Sequence, residues 1–153
     1  MKDKKEIVLA LRIAIIAFAL VGVAFCAYWA PFSIKKIYPE AIPWLEVSLY
    51  WVTSAPCFVI LGLAWDVTNR FGQGKFFEER SAKDIEISGW ILGIDSLLFI
   101  VGNIVVYFLK PNGYEFLYWV LGVAGFCLSI LFLAIARYVK AAEAIKEENE
   151  SIV

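Results

Sequence analysis

Histidine is missing altogether from the 153 residues, and cysteine occurs only three times. The first absence excludes imidazole acid–base catalysis and histidine metal ligation. Cys26, Cys57 and Cys127 each fall inside an apolar run and none belongs to a Cys-x-x-Cys pair. A redox cysteine needs a thiolate near a partner and near water, so these three read as small buried apolar residues. Charge is also scarce: Asp, Glu, Lys and Arg make up 19% of the chain and the formal net charge is −1. Such a balance gives no bulk attraction for nucleic acid. Polar stretches are few, the longest being Asn69–Glu86 and the tail after Tyr138, and neither is long enough to bury a core of its own. Gly72-Gln73-Gly74-Lys75 lacks the glycine spacing and the strand–loop–helix setting of a phosphate-binding loop. The expectation is a protein without enzymatic activity, cofactor or metal.

What the chain has instead is apolar length. Hydrophobic residues make up 61% and mean hydropathy is +0.74, against ~45–50% apolar residues in soluble domains. Four runs carry this excess: Ile7–Pro31, Trp44–Trp65, Ile87–Leu109 and Phe116–Tyr138. At ~1.5 Å per residue, roughly 20 helical residues cross the ~30 Å hydrocarbon layer, and each run suffices. The first run exceeds the ~7–15 apolar residues of a signal peptide, and the bulky Tyr28-Trp29 pair does not suit a cleavage site. It is expected as a mature span. The fold class predicted is therefore all-α: a single domain over residues 1–153, an integral membrane four-helix bundle in antiparallel up-down order, embedded in a lipid bilayer.

Basic residues orient it. With both termini in the cytoplasm, only Lys35, Lys36 and Lys110 fall outside, and every other Lys and Arg lies inside. That asymmetry favours an N-in, C-in topology. Aromatic anchors agree, with Tyr28, Trp29, Trp44, Tyr107, Tyr114, Tyr118 and Trp119 near the outer interface and Trp65, Trp90 and Tyr138 near the inner one. The outer connections Ser33–Pro43 and Lys110–Glu115 are short, and Pro111-Asn112-Gly113 suits a sharp reversal. Inside lie a loop over 69–86 and a tail over 139–153. Ser81 reads as the cap of a helix start through Asp84. Acids such as Glu78, Glu79, Asp84, Glu86 and Glu143 are interleaved with the bases, a mixed-charge surface suited to protein contact more than to lipid phosphate.

Two constellations stand out. Asp95 falls mid-span, where a charge costs at least ~2.5–3.5 kcal/mol. Ser96, Asn103, Thr53, Ser54 and Arg12 are its candidate partners, either in helix packing or in a proton or cation site. Pro56 is expected to kink the second helix, with the Thr53 and Ser54 hydroxyls satisfying freed carbonyls. Gly89 and Gly93, with Gly122 and Gly125, permit close helix approach within the bundle or between protomers. The second constellation is cytoplasmic. Phe76 and Phe77 with Glu78, Glu79, Arg80 and Lys83, together with Glu147 and Glu148 of the tail, offer an apolar anchor in a charged rim.

The stretch Gly74-Lys75-Phe76-Phe77-Glu78-Glu79-Arg80-Ser81-Ala82-Lys83-Asp84-Ile85 runs straight into an apolar span, and the tail closes on Glu147-Glu148-Asn149-Glu150-Ser151-Ile152-Val153. Both segments resemble those of a family of small four-helix bacterial membrane proteins, the domain of unknown function 2975 type. Ser81 stands where that family usually has Asn, and Ser151 where Thr is expected; each keeps a polar side chain. The resemblance implies a multi-pass protein of the bacterial plasma membrane without known activity. It also implies a partner, a small cytoplasmic helix-turn-helix transcription regulator held at the membrane. The alternatives are a small proton-coupled transporter or bacteriocin-immunity-type protein using Asp95, in either case as a possible homo-oligomer, or a chaperone-like subunit of a larger membrane complex.

Overall fold

The computed structural model describes residues 2–32, 43–109 and 115–151. They form helices α1 (Lys2–Ala24, continued by a π-turn over Phe25–Trp29), α2 (Pro43–Gln73), α3 (Glu79–Leu109) and α4 (Glu115–Ser151). Among the described residues only Gly74–Glu78 and nothing else interrupts helix between elements. Each helix carries a segment long and apolar enough to cross a membrane: Lys4–Phe32, Tyr50–Gln73, Glu79–Val105 and Phe116–Asn149. The chain is a multi-pass, all-α membrane protein. The expected turns over Ser33–Pro43 and Lys110–Glu115 lie outside the described residues except at their helical ends.

Contacts follow chain order. α1 packs on α2, α2 on α3, and α3 most extensively on α4, while among the described residues no Cα of α1 comes within 8 Å of one in α3 or α4. The helices form a row, not the closed bundle that four similar spans suggest. Composition at the contacts explains the difference. Inside lipid, association relies on close packing and not on apolarity, and small residues face each other mainly between α3 and α4. A Cβ built on Gly125 would stand 2.5 Å from Ser96 Oγ, one on Gly93 2.6 Å from Ser129 Oγ, and one on Gly122 would collide with Ile100 Cγ1. Ser129 Oγ also donates to the Gly89 carbonyl at 2.7 Å. The glycines thus work within one chain, as close-approach sites between α3 and α4.

α1 is held at two levels. Near the π-turn, Trp51 Nε1 donates to the Cys26 carbonyl at 3.0 Å; π-turns disturb the regular ladder of helix bonds, and here an indole of α2 takes up a carbonyl. At the other end Val8 packs over Gly72. Pro56 sits inside α2, but Thr53 Oγ1 and Ser54 Oγ both donate to the Tyr50 carbonyl, at 3.2 and 2.6 Å. Proline deprives the carbonyl four residues before it of its donor, which is that of Val52, so these hydroxyl bonds do not replace the missing one.

The polar stretch over 69–86, expected to hold a break at Phe71–Gly74 and a helix start near Ser81, is interrupted only at Gly74–Glu78. α2 runs to Gln73 and stops at Gly74, whose φ is +82°. The Lys75 N–H donates to the Arg70 carbonyl at 2.9 Å and the Gly74 N–H to the Phe71 carbonyl at 3.1 Å, the paired bonds of a Schellman ending. Glu78 stands just before α3, its carbonyl accepting from Ser81 N–H (2.9 Å) and Ala82 N–H (3.3 Å). Ser81 is not the cap. It lies fully buried inside the first turn, its Oγ donating to the Lys75 carbonyl at 3.3 Å.

Candidate functional site

One end of the row gathers the start of α1, the Gly74–Glu78 connector and the C-terminal part of α4. Its core is Ala82, Ile85, Ala136 and Val139, with Val67, Phe76 and Phe132 packed against them. Phe76 also meets Phe71 edge-on at 5.8 Å between ring centroids, which fixes the connector onto α2. α4 reaches across to cap α3: Glu143 Oε1 accepts the Glu79 N–H at 2.7 Å, placing a carboxylate at a helix N-terminus, where the macrodipole favours it. Lys140 Nζ donates to Glu86 Oε2 at 2.5 Å.

Beneath this lies a charge cluster. The Arg70 side chain is only 9% exposed and meets Asp66 at 2.5 Å and Asp84 at 3.2 Å. Arg80, 76% exposed, stands 3.9 Å from Asp66. On α1, Arg12 Nη2 donates to Asn69 Oδ1 at 2.7 Å, and its guanidinium lies over the Trp65 ring at 5.4 Å. A cavity of about 690 Å³ opens among these groups.

The constellation expected on the cytoplasmic side divides. Phe76 turns inward to the core, whereas Phe77, in edge contact with it at 5.1 Å, is 46% exposed. Arg80 and Lys83 on α3, and Glu147 and Glu148 on α4, are exposed as well. Glu78 and Glu79 serve the start of α3 through their backbones, as described above. Phe77, Lys83, Glu147 and Glu148 are therefore accessible at the surface, Arg80 stands toward Asp66, and Phe76 is packed inward.

The intramembrane constellation does not assemble. Arg12 is engaged with Asn69, and Asp84, already level with Arg70, precedes Asp95 by 11 residues of one helix, roughly 16 Å at 1.5 Å per residue. Thr53 and Ser54 bond Tyr50 within α2, and Asn103 Nδ2 donates to the Phe99 carbonyl of its own helix at 2.8 Å. Ser96 faces Gly125 on α4. Asp95 accordingly gains none of these expected partners. Nearby, an apolar cavity of about 420 Å³ between α1 and α2 is lined by Cys26, Cys57, Gly22 and Phe58, with Leu92 of α3. All three cysteines are free thiols. Among the described residues no three His, Cys, Asp or Glu side chains converge in a way that would hold a metal ion.

What sequence reading missed is the Arg70–Asp66–Asp84 cluster. The i, i+4 spacing of Asp66 and Arg70 was the available signal; the Asp84 contact spans a chain reversal and leaves no local mark.

A family described as a protein of unknown function (DUF2975) has a model that matches residues 29–153. No curated protein and no solved structure matches the chain.

Proposed function

Given that the chain belongs to the DUF2975 family, whose description names no activity, we propose that it is a non-enzymatic protein of the bacterial plasma membrane that holds a cytoplasmic protein on the polar end of its helices. The partner class is the one implied by the family resemblance, a small helix-turn-helix transcription regulator. Both termini and the connector lie at the cytoplasmic face in this reading. The support for that orientation is the charge asymmetry: Lys35, Lys36 and Lys110 alone belong to the opposite side.

The observation that carries the reading is Phe77. It stands 46% exposed on a connector that is otherwise fixed by a Schellman ending, a buried Ser81 and the Phe76 packing. A rigidly presented aromatic inside a charged rim is the pattern of an interface anchor. The transport alternative has less behind it. Proton or ion coupling needs polar groups near one another across the span, and Thr53, Ser54, Asn103 and Arg12 are each engaged elsewhere.

The test is affinity purification of the tagged protein from its host, comparing wild type with Phe77→Ala and with a chain ending at Lys146, which removes Glu147 and Glu148. Loss of a DNA-binding regulator from both variants, at unchanged membrane levels, is the expected result. Equal recovery of that regulator with all three proteins would refute the interface. Asp95→Asn is expected to retain the partner.

A further inference from the structure

The polar-end cavity has the composition of an anion site. Of the charged side chains lining it, Arg12, Arg70 and Arg80 are cationic and Asp66 alone is acidic. Two of the three guanidinium groups are incompletely satisfied: Arg12 Nε and Arg70 Nη1 are both buried and have no hydrogen-bond partner. A buried charged donor left unpaired costs more than a neutral one. The Arg70 side chain is nine-tenths buried; its Nη2 donates to Asp66 and stands 3.2 Å from Asp84 Oδ2, an oxygen that is buried and without a hydrogen-bond partner of its own. Asn69 holds Arg12 through Nη2 in the same way. Each planar fork is thus oriented by Nη2, and the remaining parts of both side chains line the cavity.

The depth of the cavity narrows the choice of anion. Arg12 lies five residues into the first apolar run, and Arg70 five residues beyond Trp65. Arg80 stands on the first turn of α3 beyond the connector. The lining therefore extends from the edge of the hydrocarbon to the aqueous side. A second cavity, of about 600 Å³, shares Arg12 and Gly72 with the first and adds Lys4, Lys5, Val8 and Leu9. Ammonium groups beside an aliphatic wall suit a molecule that is anionic at one end and apolar at the other.

We propose that the Arg12–Arg70–Arg80 cavity binds a phosphate group, supplied by the headgroup of an anionic phospholipid in the adjoining leaflet, with its glycerol and acyl portion along Val8 and Leu9. Arginine forks match phosphate oxygens in pairs, and basic pockets between membrane helices are known lipid-headgroup sites. Because the cavity is walled by both α1 and α2, the ligand staples the helix with fewest contacts to the rest of the row. The proposal does not depend on the partner-binding reading.

The experiment uses the full chain in a neutral maltoside detergent. Native mass spectrometry and thermal unfolding followed by tryptophan fluorescence are run with phosphatidylglycerol, phosphatidylcholine or inorganic phosphate added. The expected result is retention of phosphatidylglycerol and a raised midpoint, with neither effect from phosphatidylcholine. Arg12→Gln and Gln73→Glu, the second an exposed lining position where a carboxylate repels phosphate without touching the packing, should each weaken retention by roughly tenfold. A midpoint raised by inorganic phosphate but not by phosphatidylglycerol would keep the phosphate site and assign it to a soluble phosphate ester. Equal binding of both lipids with no effect of phosphate would overturn the proposal. So would phosphatidylglycerol retention unchanged in both variants.

Discussion

Arg70 is the residue on which the polar end depends most. A buried guanidinium is tolerable only while its acids remain, and removal of one partner of such a pair typically costs ~3–5 kcal/mol. Asp84, 14% exposed, is the more enclosed of the two acids; Asp66 is 48% exposed. Asp84→Ala should therefore lower the denaturation midpoint in detergent by much more than Asp66→Ala, and similar losses would mean that Arg70 does not rely on the α3 contact. A second residue-level test concerns Gly125. Its replacement by Ala places a methyl group 2.5 Å from Ser96 Oγ, and overpacking of this kind costs roughly 1–3 kcal/mol. Ser96→Ala removes that oxygen and leaves a Cβ at 3.5 Å, so the double variant should recover most of the loss. No recovery would place the strain elsewhere. At this scale the sequence marked Gly89, Gly93, Gly122 and Gly125 correctly, because smallness is a property of the residue itself. It could not pair Arg12 with Asn69 in preference to Asp95, since that choice depends on helix rotation and on α1 packing its backbone against α2.

Among the elements, the α2–α3 connection shows why polarity is a poor guide to helix ends. Asn69, Arg70, Lys83 and Glu86 are polar, yet nothing in them stops a helix; only Gly74, at positive φ, does so. Gly74→Ala should cost about 1 kcal/mol through its backbone alone, read as a small fall in midpoint with the secondary structure unchanged. The C-terminal part of α4 was legible as a helical extension of the fourth span, but not as a structural component of α3. Val139 is fully buried, and Glu143 caps the Glu79 N–H. Ending the chain after Tyr138 should therefore destabilise the protein as well as any complex, whereas ending it at Lys146 should leave the midpoint within a degree or two of wild type. Equal midpoints for the two truncations would show that the cap and Val139 contribute nothing.

For the molecule as a whole, spans and charge asymmetry were readable because both depend on length and sidedness, which survive any rotation of a helix about its axis. The row was not readable, because four apolar helices fit a ring as well as a line. Crosslinking distinguishes the two. In a cysteine-free background, Val8→Cys with Gly72→Cys should form a disulfide readily, since Val8 Cγ2 lies 3.4 Å from a Cβ at Gly72. Cysteine pairs placed at matching depths on α1 and α4 should not. Efficient α1–α4 crosslinking within one chain would replace the row with a closed bundle.

The row also has a consequence for how the protein is made. Every interface joins two helices adjacent in the sequence, so each helix waits at most for the next span to complete its surroundings. Sequence-local contacts of this kind favour fast folding, and each hairpin can close while the ribosome is still adding the next span. The largest interface, α3 with α4, forms last and fixes the hairpin that carries the α4 cap. A nascent chain arrested before Phe116 would thus already hold α1 against α2, with the Arg12–Asn69 bond in place, while the Glu79 N–H still lacked its carboxylate.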